Sequence, residues 1–393
     1  MERNETARGM ADWMVSRITE LCQRFPQRPP GSEAERAAQA AMAEDLAARG
    51  LKPELEFFPV AQKAFMAAPP VTAGCFALSA ILAFWTPCAA LVMALVGVAV
   101  IVLEVGFYRH VLAPLFVHHT SANLYARIVP TGEPRCRVIF GGHADAAYEW
   151  RYHYLFPRHF KKITGLLLVT ALWILGFNLL RCLGIPMGFL RWTMLPAALV
   201  AGLGMAFTNF RVSAPGAVDN LSGAVLGLAL AGYFAEHRPE HTELVVLVTG
   251  SEEAGLVGAS EFVRRHKPEW SDLPTVYIAL ESFRDLPWMA VYTRDMNGLV
   301  KNDVTLGNLL RRAGERVGPT LPFATVTTGS SDAAAFSRAG VRAVMLAAMD
   351  PAPAHYYHTR RDTWTELDAD CLARAAEVML EALDDIDQNG LPS

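Results

Sequence analysis

Hydrophobic and polar positions are spread unevenly along this chain. Forty consecutive residues between Lys63 and Glu104 contain no Asp, Glu, Lys or Arg. A second uncharged run covers 163–180 and a third covers 192–210. A helix that crosses a bilayer core needs about 20 apolar residues. The forty-residue run is too long for one crossing and is interrupted at Trp85-Thr86-Pro87, so it suits two. The pattern predicts four membrane helices in two hairpins, 68–85 with 88–107 and 163–180 with 192–210.

Outside these runs the pattern changes to short apolar stretches alternating with amphipathic ones. Residues 138–140, 244–248, 276–280 and 341–346 are apolar and of strand length. Residues 33–49, closed by Gly50, read as a helix, and so do 221–237, 259–266 and 370–386. Alternation of this kind predicts an α/β fold, a mostly parallel mixed sheet with helices on both faces. The expected organisation is one discontinuous domain (1–63, 111–162 and 211–393) interrupted by transmembrane hairpins at 64–110 and 163–210.

Composition agrees with an apolar insertion. The chain is 52% hydrophobic and 19% charged, against about 25% charged in ordinary soluble domains. That balance excludes disorder. A net charge of −4 gives no basic field for nucleic acid, so none is expected as a partner. The start, Met1-Glu2-Arg3-Asn4-Glu5, lacks an apolar core and reads as no secretory signal. Six cysteines show no paired spacing, and neither a disulfide framework nor a zinc-thiolate site is expected. Lys63, Arg109, Arg151, Arg158, Lys161, Lys162 and Arg211 flank one end of the hairpins, whereas Arg181 and Arg191 lie at the other. Positive flanks favour the cytoplasm. The expectation is therefore a multi-pass protein of the plasma or inner membrane, its lipid bilayer a partner, with the soluble body inside the cell.

In a parallel sheet, ligands bind at the carboxyl ends of the strands. There the chain places Gly141-Gly142-His143-Ala144-Asp145, Gly250-Ser251-Glu252-Glu253 and Glu281. Val218-Asp219-Asn220 precedes a helix, and Tyr356-Tyr357-His358-Thr359 lies in a later loop. Imidazoles and carboxylates without thiolates suit zinc, manganese or cobalt, and a carboxylate can bridge two ions.

Taken in order, these motifs closely resemble the di-zinc aminopeptidases of metallopeptidase family twenty-eight, which include bacterial leucyl aminopeptidases and, more distantly, glutamate carboxypeptidase II. Arg28-Pro29-Pro30-Gly31-Ser32 and Asn123-Leu124 resemble its amino-terminal signatures, and Ser331-Asp332-Ala333-Ala334-Ala335-Phe336 its Ser-Asp loop, with Ala335 where the family commonly has Pro. The resemblance implies two Zn2+ ions, with Mn2+ or Co2+ as substitutes, and a peptide substrate. His143 and Glu281 would hold one ion, Glu253 and His358 the other, and Asp219 would bridge both. Glu252 would be the general base, Asp145 would orient His143, and Tyr357 would donate to the oxyanion. Ser331 and Asp332 would stand behind the ligands. The family also implies a cis peptide after Asp219.

Two features depart from that family. His143 and Asp219 are 76 positions apart because the second hairpin lies between them, and Glu281 stands where many members have Asp. The insertions are expected to leave one face of the domain and to bring the catalytic rim near the bilayer. Rival readings are an acyltransferase of the glutaminyl cyclase type and an inactive membrane scaffold. The cyclases use one zinc and lack the first histidine, so His143 argues against the former. The intact ligand set argues against the latter.

Overall fold

The structure is a computed structural model that describes residues 2–392; Met1 and Ser393 lie outside them. The chain forms two compact units. One comprises Met1–Gln62, His118–Ala147 and Ala214–Ser393, and the other Lys63–Val117 and Tyr148–Ser213.

The first unit is built on a nine-stranded sheet. Its strands run across the sheet in the order Glu54–Val60, His119–Ile128, Thr242–Val248, Cys136–Gly141, Thr275–Phe283, Arg342–Ala348, Met289–Asp295 and Phe323–Thr325, with Val300–Lys301 paired to Met289–Asp295. The four central strands are mutually parallel, and antiparallel pairs flank them. Val138, Phe140, Leu244, Val246, Val248, Ile278, Leu280, Val344 and Leu346 are fully buried, which is why these strands read as unbroken apolar runs.

Helices pack around the sheet. Ser222–Glu236 lies on the central strands and Asp332–Arg338 on Arg342–Ala348. Glu33–Ala48 begins where the Ser32 side chain accepts Glu35 N, and it stops at Arg49 before Gly50, whose φ of 75° is left-handed. Glu2–Arg24 was not among the expected helices. It buries Ala7, Ala11, Met14, Ile18 and Leu21, one stripe spaced by threes and fours, and packs on Ala369–Asn389 and Ser222–Glu236.

The second unit is helical. Ala64–Leu82, Pro87–Gly106 and Pro157–Cys182 are each long and apolar enough to cross a membrane, and Gly188–Gly204 is a shorter apolar helix. Ala217–Glu236 also meets the length and composition, but 89% of it is buried, within the first unit. The fourth expected span, 192–210, is therefore shorter than predicted. Thr208–Ser213 leaves the helix and pairs antiparallel with Tyr148–Trp150. Gly188–Thr193 is a 3-10 turn and Met194–Gly204 is α-helical, so the element reaches ~28 Å at about 2.0 and 1.5 Å per residue. The unit also takes in residues 111–117 and 148–162. Trp150 stacks on Phe160 at 5.6 Å and sits 5.7 Å from Phe207, which joins the strand pair to the helices.

The packing in this unit is inside-out relative to a water-soluble bundle. Ala80, Ala90, Ala94, Ala197 and Ala201 face inward beside Phe76 and Phe177. Large side chains, among them Leu78, Val92, Leu95, Leu168, Val169, Leu172, Leu195 and Leu199, point outward and are exposed. Asn178 Nδ2 donates to Ser79 Oγ, which donates to Ala90 O. Small interior residues with a few polar ties are how helices associate in lipid. Cys88 and Cys182, for which no pairing was expected, form a disulfide with Cα atoms 5.1 Å apart. Ninety-four residues separate them; they meet because one opens its helix and the other closes its own.

Gly97 marks a close helix contact, since an added Cβ would lie 3.0 Å from Cys75 Cβ and 3.3 Å from Phe76. Gly97→Val should separate these helices and destabilise the unit by about 1–3 kcal/mol. The check is thermal unfolding in detergent; an unchanged midpoint would contradict this packing.

Candidate metal centre

The central strands deliver the cluster directly. His143 lies two residues beyond the end of Cys136–Gly141 and pairs as an isolated parallel bridge with Thr249, the residue after Thr242–Val248. That bridge aligns the two loops carrying His143 and Glu252-Glu253. Glu281 lies within Thr275–Phe283 near its carboxyl end. Asp219 comes from the turn entering Ser222–Glu236, and the Asp219–Asn220 peptide is cis. His358 arrives on the loop after Arg342–Ala348, with a left-handed φ of 52°.

His143, Asp219, Glu252, Glu253, Glu281 and His358 meet in one buried cluster. Asp219 is central. Its Oδ1 lies 3.4 Å from His143 Nε2 and its Oδ2 3.2 Å from His358 Nε2. Glu253 Oε1 is 3.1 Å from His358 Nε2, and Glu281 Oε2 is 3.8 Å from His143 Nε2. Two ligand sets share Asp219: His143, Asp219 and Glu281, and Asp219, Glu253 and His358, with ligand atoms in each set lying within 4.8 Å of one another. Glu252 Oε2 reaches 3.9 Å from His143 Nε2 but belongs to neither of these sets.

The donor set fits a divalent cation. Glu281 Oε1 is buried and finds no hydrogen-bond donor among the described residues, and Glu253 Oε1 is buried against the His358 imidazole. Burial pushes the Glu252, Glu253 and Glu281 carboxyls above their ordinary range. Burial also opposes charge on His358, but Glu253 and Asp219 outweigh it and raise its pKa to about 10. His143 is raised in the same way by Asp145 and Asp219. The cluster thus retains protons that a bound cation would displace.

The surrounding residues hold ligands in place. Asp145 Oδ1 lies 3.3 Å from His143 Nδ1, and its two oxygens accept Glu252 N and Glu253 N at 3.0 Å. Asp145 therefore fixes the tandem-glutamate turn as well as His143. Asp332 accepts the Thr249 hydroxyl at the base of that turn, and burial pushes its pKa up to about 6. Ser331 does not reach the cluster: it donates to Asp295 and caps the following helix. The Tyr357 ring stacks on His358 at 3.9 Å.

Two contributors were missed in the sequence. Asp362 accepts Val218 N and Asp219 N at 2.8 and 3.0 Å, and Asn220 Nδ2 donates to Glu281 Oε2 at 2.6 Å. Asp362 stood in the quoted Tyr-His-Thr-x-x-Asp-Thr pattern and Asn220 beside Asp219, which was the only available signal.

The model for peptidase family M28 matches residues 201–383. No curated protein matches the chain. Among solved structures, an aminopeptidase from Aneurinibacillus sp. strain AM-1 superposes with a TM-score of 0.60 at 14% identity, over 98% of this chain and 96% of that one. A zinc aminopeptidase from Bacillus subtilis gives 0.58 at 14% identity, over 95% and 94%. A glutaminyl cyclase from an Acidobacteriales bacterium gives 0.57 at 15%, over 99% and 96%. The chain thus matches the peptidase family M28 model over residues 201–383, shares its fold with zinc aminopeptidases and glutaminyl cyclases, and carries a buried His/Asp/Glu cluster suited to zinc.

Proposed function

We propose that the chain is a membrane-anchored di-zinc aminopeptidase that removes amino-terminal residues from peptides. The observation that carries this reading is Asp219, which turns one oxygen toward each of two imidazoles. His143 and Glu281 would hold one ion, Glu253 and His358 the other, and Asp219 both. Bound zinc would supply Lewis acidity to the scissile carbonyl and acidify water near neutral pH.

The chain's own residues do the rest. Glu252 is left outside both Asp219-centred sets, yet the Asp145 carboxylate holds its backbone beside them. It takes the proton of the attacking water and passes it to the leaving amine. Tyr357, stacked on His358, donates to the oxyanion that develops on the substrate carbonyl. A substrate's terminal ammonium meets buried carboxylates, which favours removal of end residues. Structural likeness to glutaminyl cyclases supports a second reading as a cyclising acyltransferase, but the complete pair of ligand sets favours hydrolysis.

Glu252→Gln should lower kcat on amino-acyl-4-nitroanilides by about 10^2–10^4-fold while zinc content stays unchanged. Retained kcat would overturn the base assignment. Peptides with a free amino terminus should be cleaved and acetylated ones spared. Cleavage of the blocked series would defeat the aminopeptidase reading, and ring closure of amino-terminal Gln without hydrolysis would favour the cyclase.

The inside-out helical unit supports residence in a bilayer. Its outward Leu and Val side chains would be a liability in water. The excess of Lys and Arg lies where the chain passes to the peptidase unit. The Cys88–Cys182 disulfide lies at the opposite ends of its helices, and disulfides persist in oxidising compartments. Both support a cytoplasmic peptidase unit. A reporter that works only in the cytoplasm, fused after Ser393, should be active; an inactive one, with an exported reporter active at the same position, would reverse the orientation.

A further inference from the structure

The segment from Arg28 to Glu35 supplies no ligand to the cluster, yet it contacts three of the loops that do. Arg28 is fully buried. Its Nε donates to Ala144 O at 2.9 Å, between His143 and Asp145, and its Nη2 donates to Gly216 O at 3.2 Å, on the turn leading to Asp219. Nη1 closes on Phe25 O, and Arg28 O accepts Ala146 N.

Glu35 does the same for the third loop. It stands three residues after the capping serine, where a glutamate ordinarily serves its own helix. One oxygen behaves accordingly, with Oε2 accepting Gly31 N at 2.7 Å and Ser121 Oγ at 2.9 Å. The other does not. Oε1 accepts Ser251 N at 2.6 Å and lies 3.2 Å from Ser251 Oγ, across 216 residues of sequence. Ser251 has a left-handed φ of 55° and immediately precedes Glu252 and Glu253. A non-glycine residue in that conformation persists only where its surroundings hold it, and a buried carboxylate on its N–H does so.

We propose that Arg28 and Glu35 are positioning residues that set the spacing between the His143, Asp219 and Glu252-Glu253 loops, so that divalent-cation affinity depends on a segment holding no ligand. The inference rests on the metal reading above. A buried cation reaching two loop carbonyls, and a buried carboxylate reaching a third loop's amide, place ligands to within hydrogen-bond tolerance. Partners that orient ligands typically contribute about 10–100-fold in metal affinity or activity.

The test is Co2+ titration of the full-length protein, stripped with chelator in detergent and followed by the visible absorption of the bound ion. Glu35→Gln and Arg28→Met should bind Co2+ about 10–100-fold more weakly, with an altered band. Glu35→Asp and Arg28→Lys should recover part of both, and they carry the test if the first pair fails to fold. Arg137→Met is the control for simple destabilisation. It breaks the pairs that the buried Arg137 makes with Glu243 and with the exposed Asp272 at the amino-terminal end of the same strands and should leave Co2+ affinity unchanged. If variants at both positions bind Co2+ with wild-type affinity and band, or weaken no more than Arg137→Met, the proposal is overturned. A wild-type protein that binds no Co2+ would overturn the metal reading itself, and this inference with it.

Discussion

Asp219 turns its two carboxylate oxygens toward imidazoles from two distant parts of the chain, and the peptidase unit depends on keeping it there. A buried carboxylate stays ionised only where opposite charge or donated hydrogen bonds offset the loss of water. Here His143 and His358 provide that compensation, and Asp219 is held below the ordinary carboxyl range despite full burial. For the neighbouring glutamates burial outweighs the same imidazoles, and their carboxyls are pushed upward. The cluster is an electrostatic imbalance that a bound divalent cation would resolve.

Holding such a cluster together falls to main-chain hydrogen bonds. Asp145 accepts the amides of Glu252 and Glu253, and Asp362 those of Val218 and Asp219. Each carboxylate thereby closes a turn that carries a ligand, and each turn begins at the end of a fully buried strand or the start of a buried helix. The rigidity of the parallel sheet is passed to the ligands by amides rather than by side-chain packing. This explains how a helical unit can occupy the interval between Ala147 and Ala214. Ala214 N donates to Ala147 O, so the chain returns beside the point at which it left.

Much of this was legible in the sequence, and the reasons are specific. The four central strands were found because both of their faces are buried, so they appear as apolar runs, and the ligands follow those runs directly. The antiparallel strand Glu54–Val60 was missed because its residues alternate between exposed and buried and include Pro59. The fourth apolar run was overextended because Thr208-Asn209-Phe210 counts as uncharged, although it forms a strand. Cys88 and Cys182, Glu35 and Ser251, and Arg28 and Gly216 are pairs separated by 94, 216 and 188 positions. No local period records them. The motif residues that gather in the cluster were visible, as was Asp145 beside His143, whereas the contacts that Arg28, Glu35 and Asp362 make with those loops were not.

Anomalous diffraction at the zinc absorption edge tests most directly whether Asp219 lies between two cations. Crystals of the full-length protein grown with zinc should show two peaks about 3.5–4 Å apart, one beside His143 and Glu281, the other beside Glu253 and His358, with the Asp219 carboxylate between them. A single peak, or two peaks that leave Asp219 unliganded, would contradict that placement.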